Sequence, residues 1–194
     1  MDATSDTSKS GSARSSASAR KAGKQLTIDR AFVEEYAPRY PISDLEDRVL
    51  RKDGPRALKK GVMKRKAFLR IGQWKGLAAL SRLEQHPAED VEFITSLAVS
   101  RKTPDKFRVS LLRVLDGVGV PLASSVLSAV FPTRFAIMDA RATDALHAAG
   151  HLDSGNPARA DYAHYISTMR TLAEDCGCSL VDLYRALYAW AKDR

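Results

Sequence analysis

The sequence predicts an all-α fold, and three features carry that reading. From Leu26 onward apolar residues recur at three- and four-residue intervals; no stretch alternates with period 2; and joints containing Pro, Gly or Asp separate the periodic runs at lengths suited to short helices. The candidate helices span 28–37, 43–52, 64–73, 88–99, 104–115, 121–131, 140–149, 158–175 and 180–192, with no internal repeat. A chain of 194 residues suits one compact domain, with room for two small lobes.

The first 25 residues stand apart. They are Ser, Ala, Gly and charge with almost nothing apolar to bury, which predicts a disordered basic tail over 1–25 ahead of a helical domain over 26–194. Two Asp residues and the lack of an amphipathic stretch distinguish this tail from a transit peptide. Of the net charge of +8, its five basic and two acidic side chains account for +3, which leaves +5 on the helical part. A sequence pI near 9.6 points to an anionic partner, nucleic acid first. Apolar stretches such as GLAAL and FAIM fall far short of the roughly 20 residues that cross a bilayer, so no membrane partner is expected.

Within the helical part, RKDGPRALKKGVMKRK (51–66) sets eight basic residues against Asp53. It reads either as a solvated surface or as a DNA-facing patch with strongly salt-dependent affinity, Lys64, Arg65 and Lys66 being its candidate contacts. Trp74 and Lys75 close the next helix. They offer a nucleic-acid base a stacking surface and a cation, or they are a core Trp beside a solvated Lys. Pro104 suits the first turn of 104–115, where Phe107, Leu111, Leu112 and Leu115 form an apolar stripe and Arg108 and Arg113 are weaker DNA-contact candidates.

That helix runs into Gly117-Val118-Gly119. A dinucleotide fingerprint needs a strand before the glycines and Gly or Ala at its sixth position; here a helix precedes them and the sixth residue is Leu122. The expected alternative is a hairpin between two helices, its glycines free to take positive φ, with the second helix starting at Pro121. Free N–H groups at such a turn donate to a phosphate that can approach closely. Farther on, Asp139 is positioned to N-cap the 140–149 helix, which Gly150 closes. Ser179, with Asp182 three residues on, opens the last helix through a variant capping box, and Leu180, Leu183, Leu187 and Trp190 form its buried face.

Cysteine and histidine usage excludes several chemistries. Only Gly177 separates Cys176 from Cys178, so a mutual disulfide would be strained, and two thiols are too few for a four-cysteine iron–sulfur cluster. Both read as reduced thiols of a cytoplasmic protein. His147 and His151 are four apart, but Gly150 stands between them as a helix C-cap, and no zinc-type ligand set is present; no metal site is expected.

The segment LDGVGVPLA (115–123) resembles the L-P-G-V-G-x-x-x-A hairpin of the helix-hairpin-helix DNA glycosylase superfamily, and FAIMDARATDALHAAG supplies Asp139 where that family carries a catalytic Asp at the start of the next helix. The family's lyase members place a Lys two residues after the second hairpin Gly, 18 residues before the Asp; Pro121 and Asp139 stand at that interval here. With FLRIGQWKG, PTRFAIMDARA and LYRALYAWAK, the chain resembles over about 38–192 a little-characterised bacterial branch of the superfamily without the iron–sulfur cluster.

The resemblance implies a helix-hairpin-helix glycosylase-like fold, double-stranded DNA as partner, Gly117, Val118 and Gly119 as backbone contacts, and no cofactor beyond a monovalent cation on the hairpin carbonyls. Departures narrow the chemistry. Pro121 has no amine for a Schiff base, so the implied enzyme is a monofunctional N-glycosylase hydrolysing the bond to a flipped base. Asp116, where the family has Pro, puts negative charge beside the hairpin. Asp139 would stabilise positive charge on the sugar or orient water, while remaining a helix cap. Arg141 would contact a phosphate, pair with a buried acid, or form a surface ion pair. Two rival functions stay open: a non-catalytic helix-hairpin-helix DNA-binding module, and a helical interaction protein in which the glycines only make a tight turn.

Overall fold

The computed structural model describes residues 26–76 and 80–194; the expected basic tail, residues 1–25, lies outside the described residues. These are all-helical, with no strand among them. The helices are α1 (Arg30–Tyr36), α2 (Asp44–Arg48), α3 (Gly54–Lys60), α4 (Arg65–Trp74), α5 (Leu80–Leu83), α6 (Ala88–Val99), α7 (Asp105–Leu112), α8 (Val120–Val130), α9 (Ala140–Ala148), α10 (Tyr162–Cys176) and α11 (Leu180–Lys192). Among the described residues none is long and apolar enough to cross a membrane.

Two apolar cores organise these helices. One gathers Phe32, Met138, Leu146, Tyr165, Met169, Leu183 and Leu187 from the chain's beginning and end; the other gathers Phe68, Ile71, Leu83, Val91, Leu112 and the interior of α8. Trp74, Val120 and Tyr162 pack against both, so they mark the seam. Helix α8 is the axis of the second core, with every residue from Leu122 to Val130 buried. Ser124 and Ser125 meet the demand of burial by bonding locally: their Oγ atoms donate to the Pro121 carbonyl at 3.1 and 2.7 Å.

Residues 135–138 cross the seam without helix, Phe135 lying in one core and Ala136 to Met138 in the other. Their backbone is satisfied by side chains. The Met138 N–H donates to Ser124 Oγ at 3.0 Å, and the hydroxyls of Tyr162 and Tyr165 donate to the carbonyls of Ala136 and Ile137 at 3.0 and 2.5 Å. This fixed crossing delivers Asp139 to the start of α9.

Several boundaries differ from expectation. The helix expected over 43–52 does not stop: a π turn over Val49–Asp53 carries it into α3, the Gly54 N–H reaching the Val49 carbonyl five residues back. Pro55, which has no N–H to return to the preceding turn, falls directly after this π turn as the second residue of α3. Helix α7 ends at Leu112, three residues early, and Pro104 is its N-cap rather than its first residue. Its buried stripe is Arg108, Val109 and Leu112; Phe107, expected in the core from its spacing, is 50% exposed. Arg108 can replace an apolar residue there because the Ala98 and Thr103 carbonyls and Asp105 accept from its guanidinium. That buried network also removes Arg108 from the DNA-contact candidates. Helix α10 begins at Tyr162 rather than 158, since the Asp161 carboxylate caps the N–H groups of Ala163 and His164. On α11 the buried face includes Tyr184 and Ala186, while Trp190 is only half-buried, at the edge of the core.

Of the two hairpin glycines only Gly117 takes positive φ, at 78°. Gly119 is extended (φ −85°) and caps α8, which starts at Val120, one residue before the expected Pro121. Gly150 closes α9 in a left-handed turn (φ 77°), with the His151 N–H returning to the Leu146 carbonyl at 2.9 Å.

Candidate active site

Asp139 enters the seam as the N-cap of α9. One carboxylate oxygen accepts the Ala142 N–H at 3.1 Å. The other accepts from Lys75 Nζ at 2.9 Å and from the Tyr184 hydroxyl at 2.7 Å, and Lys75 also donates to the Tyr184 oxygen at 3.0 Å. Carboxylate, ammonium and phenol thus close a triangle contributed by α9, the end of α4 and α11. Lys75 and Asp139 are 10% and 15% exposed, so their pairing is sheltered from salt screening while one edge still faces a cleft.

That cleft, about 560 Å³, is lined by Trp74, Lys75, Pro121, Asp139, Arg141 and Tyr188 among others. Four residues that stand out separately in the sequence therefore surround one concavity at the meeting of the two cores. Lys75 Nζ lies 5.2 Å from the centre of the Trp74 ring, within cation–π range. At the rim the exposed Arg141 donates to the Tyr188 hydroxyl and lies over its ring at 4.4 Å. A second cavity, about 700 Å³ and the larger, shares Pro121 but is lined by Arg113, Phe135, Tyr162 and Arg170. It contains no member of the Asp139 triangle, so the smaller cleft is the candidate for chemistry.

Three tyrosines of this region carry no functional signal in the sequence. Tyr184 bonds Asp139, Tyr188 holds Arg141, and Tyr40 stacks edge-on against Tyr188 at 4.9 Å. The i,i+4 spacing of Tyr184 and Tyr188 within an apolar helix face is the one available clue, because a buried phenol needs a polar partner. Beneath them Glu46 of α2 pairs with Arg185 of α11 at 2.8 Å, a second charged link across the seam.

Burial alone would raise the Asp139 carboxyl, but the Lys75 charge, the Tyr184 and Lys75 hydrogen bonds and the Ala142 N–H together hold it below its ordinary value. The same carboxylate, after burial itself, pushes the Tyr184 phenol well above 10. A depressed carboxyl stabilises the fold fully above its unfolded value near about 4 and loses that contribution as pH falls through the folded value. Urea unfolding midpoints should therefore not move on account of this group between about pH 5 and 7 and should fall below about pH 4. Asp139→Asn, which keeps the cap but not the titration, should show a shallower acid limb.

The hairpin presents a mixed picture. The Val118 N–H is taken by the Leu115 carbonyl at 3.1 Å and its side chain is buried, so Val118 is an anchor rather than an exposed contact. Gly119 is exposed, and no acceptor among the described residues faces its N–H. The Asp116 side chain points to solvent 4.0 Å from Arg82, while its carbonyl meets His86 Nε2 at 2.9 Å.

The basic run is divided by the fold. Arg65 turns onto the carbonyls of His86 and Glu84 at 2.7 and 2.5 Å, Lys64 pairs with Glu92 at 2.5 Å, and Lys64 and Lys66 both line a separate basic cavity. None of the three lines the Asp139 cleft. Cys176 and Cys178 are free thiols, and burial, followed by neighbouring negative charge, pushes Cys178 up to about 11. No cluster of three or more metal-ligating side chains occurs among the described residues. Compared with family models, curated proteins and solved structures, the chain matches none.

Proposed function

We propose that the protein binds duplex DNA through its hairpin and hydrolyses the N-glycosidic bond of a flipped base in the seam cleft, as a monofunctional glycosylase of the helix-hairpin-helix type. The supporting observation is the Lys75–Asp139 pair at 2.9 Å on the wall of a cleft that Trp74 and Arg141 also line. Breaking a C1′–N bond leaves the electron pair on the base and positive charge on the sugar. A fixed carboxylate beside a fixed ammonium matches that separating charge: Asp139 faces the sugar, and Lys75 donates to the departing base. Water then adds to C1′, and its proton ends on the released base. Because the Asp139 carboxyl is held low, its role is electrostatic rather than that of a strong base. Lys75 Nζ is engaged by Asp139 and Pro121 has no amine, which favours hydrolysis over a lyase step.

A single-turnover assay on duplexes carrying uracil, alkylated, deaminated and oxidised bases, with abasic sites revealed by alkali, tests this reading. Asp139→Asn should lower the rate of base release by about 10²–10³ with duplex affinity largely intact. An unchanged rate removes Asp139 from the chemistry. One observation favours a second reading, a DNA-binding module without catalysis: both Asp139 oxygens already have partners within the fold. That reading expects no base release from any duplex, together with binding to undamaged DNA that weakens steeply with salt.

A further inference from the structure

Away from the cleft, the end of α2, α3 and α4 enclose a cavity of about 350 Å³ whose wall is mostly cationic. Arg48 comes from α2, Arg56 and Lys60 from α3, and Lys66 and Arg70 from α4. Arg56 with Lys60, and Lys66 with Arg70, each stand four apart on one helix, a spacing at which like charges repel. The one carboxylate in the wall, Asp53, is committed to Arg70; both are 11% exposed. Arg48, Arg56, Lys60 and Lys66 have neither an ion pair nor a side-chain hydrogen bond among the described residues. Lys64, which also lines the wall, pairs instead with Glu92, as Arg51 outside the cavity does with Asp47.

We propose that this cavity is a binding site for a phosphoryl group, one whose oxygens several cations can reach at once. Three helices aim unpaired positive charge into a concave space, at a cost in mutual repulsion that a polyanion would relieve. Concavity selects a compact anion, and guanidinium forks alternating with ammonium groups match the several oxygens of a phosphate ester or polyphosphate. The ligand chemistry has two sources, a nucleic-acid backbone or a free phosphorylated small molecule. The cavity lies apart from the Asp139 triangle, and the inference does not depend on base excision.

Titration calorimetry of the full chain with inorganic tripolyphosphate at low ionic strength tests it. We expect saturable one-to-one binding, weakened at least about tenfold in Arg56→Gln/Lys60→Gln and in Arg48→Gln, since each charged hydrogen bond contributes on the order of a tenfold factor. Lys59→Gln, on α3 but outside the cavity, should match the parent. Melting of the double variant without ligand checks folding and should occur no lower than in the parent, because repulsion has been removed. Absence of saturable binding by the parent, or equal binding by the folded double variant, overturns the proposal. A competing duplex that displaces tripolyphosphate assigns the cavity to backbone phosphates; simultaneous binding of both assigns it to a free phosphorylated molecule. Base release by the parent and by Asp139→Asn is scored separately, so the excision reading can fail while the cavity stands.

Discussion

Replacing Arg108 with Met is expected to lower the unfolding free energy by about 4 kcal/mol, from two charge-assisted hydrogen bonds of about 1.5–3 kcal/mol each. The guanidinium is 1% exposed and joins the end of α6 to the start of α7. It donates to the Ala98 carbonyl, to the Thr103 carbonyl at 2.7 Å and to Asp105 at 3.0 Å, and it lies over the Phe131 ring at 4.7 Å. Met preserves length and apolar contact but leaves both carbonyls without this donor. Asp105 keeps Arg134, so no isolated charge is added to the cost. The urea midpoint should fall by about 2 M, taking an m-value near about 2 kcal/mol/M. Arg113→Met, at an exposed position on the same approach to the hairpin, should stay within about 0.5 kcal/mol. Equal midpoints for the two variants would show that the Arg108 network contributes nothing.

Gly54→Ala is expected to cost about 3 kcal/mol or more through overpacking. An added Cβ would stand 1.9 Å from the Ala129 carbonyl oxygen and 2.5 Å from its carbon. These are backbone atoms of α8, which is buried from Leu122 to Val130 and cannot yield as a flexible side chain would. Alanine's higher helix propensity returns only about 1 kcal/mol. A melting temperature lower by about 9 °C is therefore expected. Gly61→Ala provides the contrast: its φ is +67°, but nothing lies within 4 Å of an added Cβ, so strain alone costs about 1–2 kcal/mol. The order of the two melting temperatures is the decisive reading. Gly61→Ala melting below Gly54→Ala would contradict the close approach of α3 to α8.

The candidate site is partly legible in the sequence. Asp139 as a helix cap follows from an Asp placed ahead of an apolar-periodic segment closed by Gly150, because both ends of a short helix leave a local chemical signature. Trp74 and Lys75 are visible there only as an aromatic beside a cation. The meeting of Lys75 with Asp139 spans 64 residues, and no local pattern encodes that pairing. Tyr184 is hidden for a related reason: a phenol on an apolar face looks like core until its partner is known.

The basic run shows the limit from the other direction. Over 51–66 it reads as one patch, yet folding assigns its members different work. Arg65 caps carbonyls, Arg51 and Lys64 pair with acids, and Arg56, Lys60, Lys64 and Lys66 join Arg48 and Arg70 around a cavity. Net charge is additive along a chain, whereas the neutralisation of each charge depends on which acids and carbonyls the fold brings near.

By itself, the sequence determined the all-helical class, most helix ends and the hairpin position, since each rests on residues within a few positions of one another: periodic apolar spacing, caps, and a glycine able to take positive φ. The division into two cores, the inward turn of Arg108, the Lys75–Asp139–Tyr184 triangle and the basic cavity were decided only by the tertiary structure. Each depends on contacts between segments remote in sequence, and burial makes an unpartnered charge or hydroxyl costly enough that packing and pairing must be satisfied together.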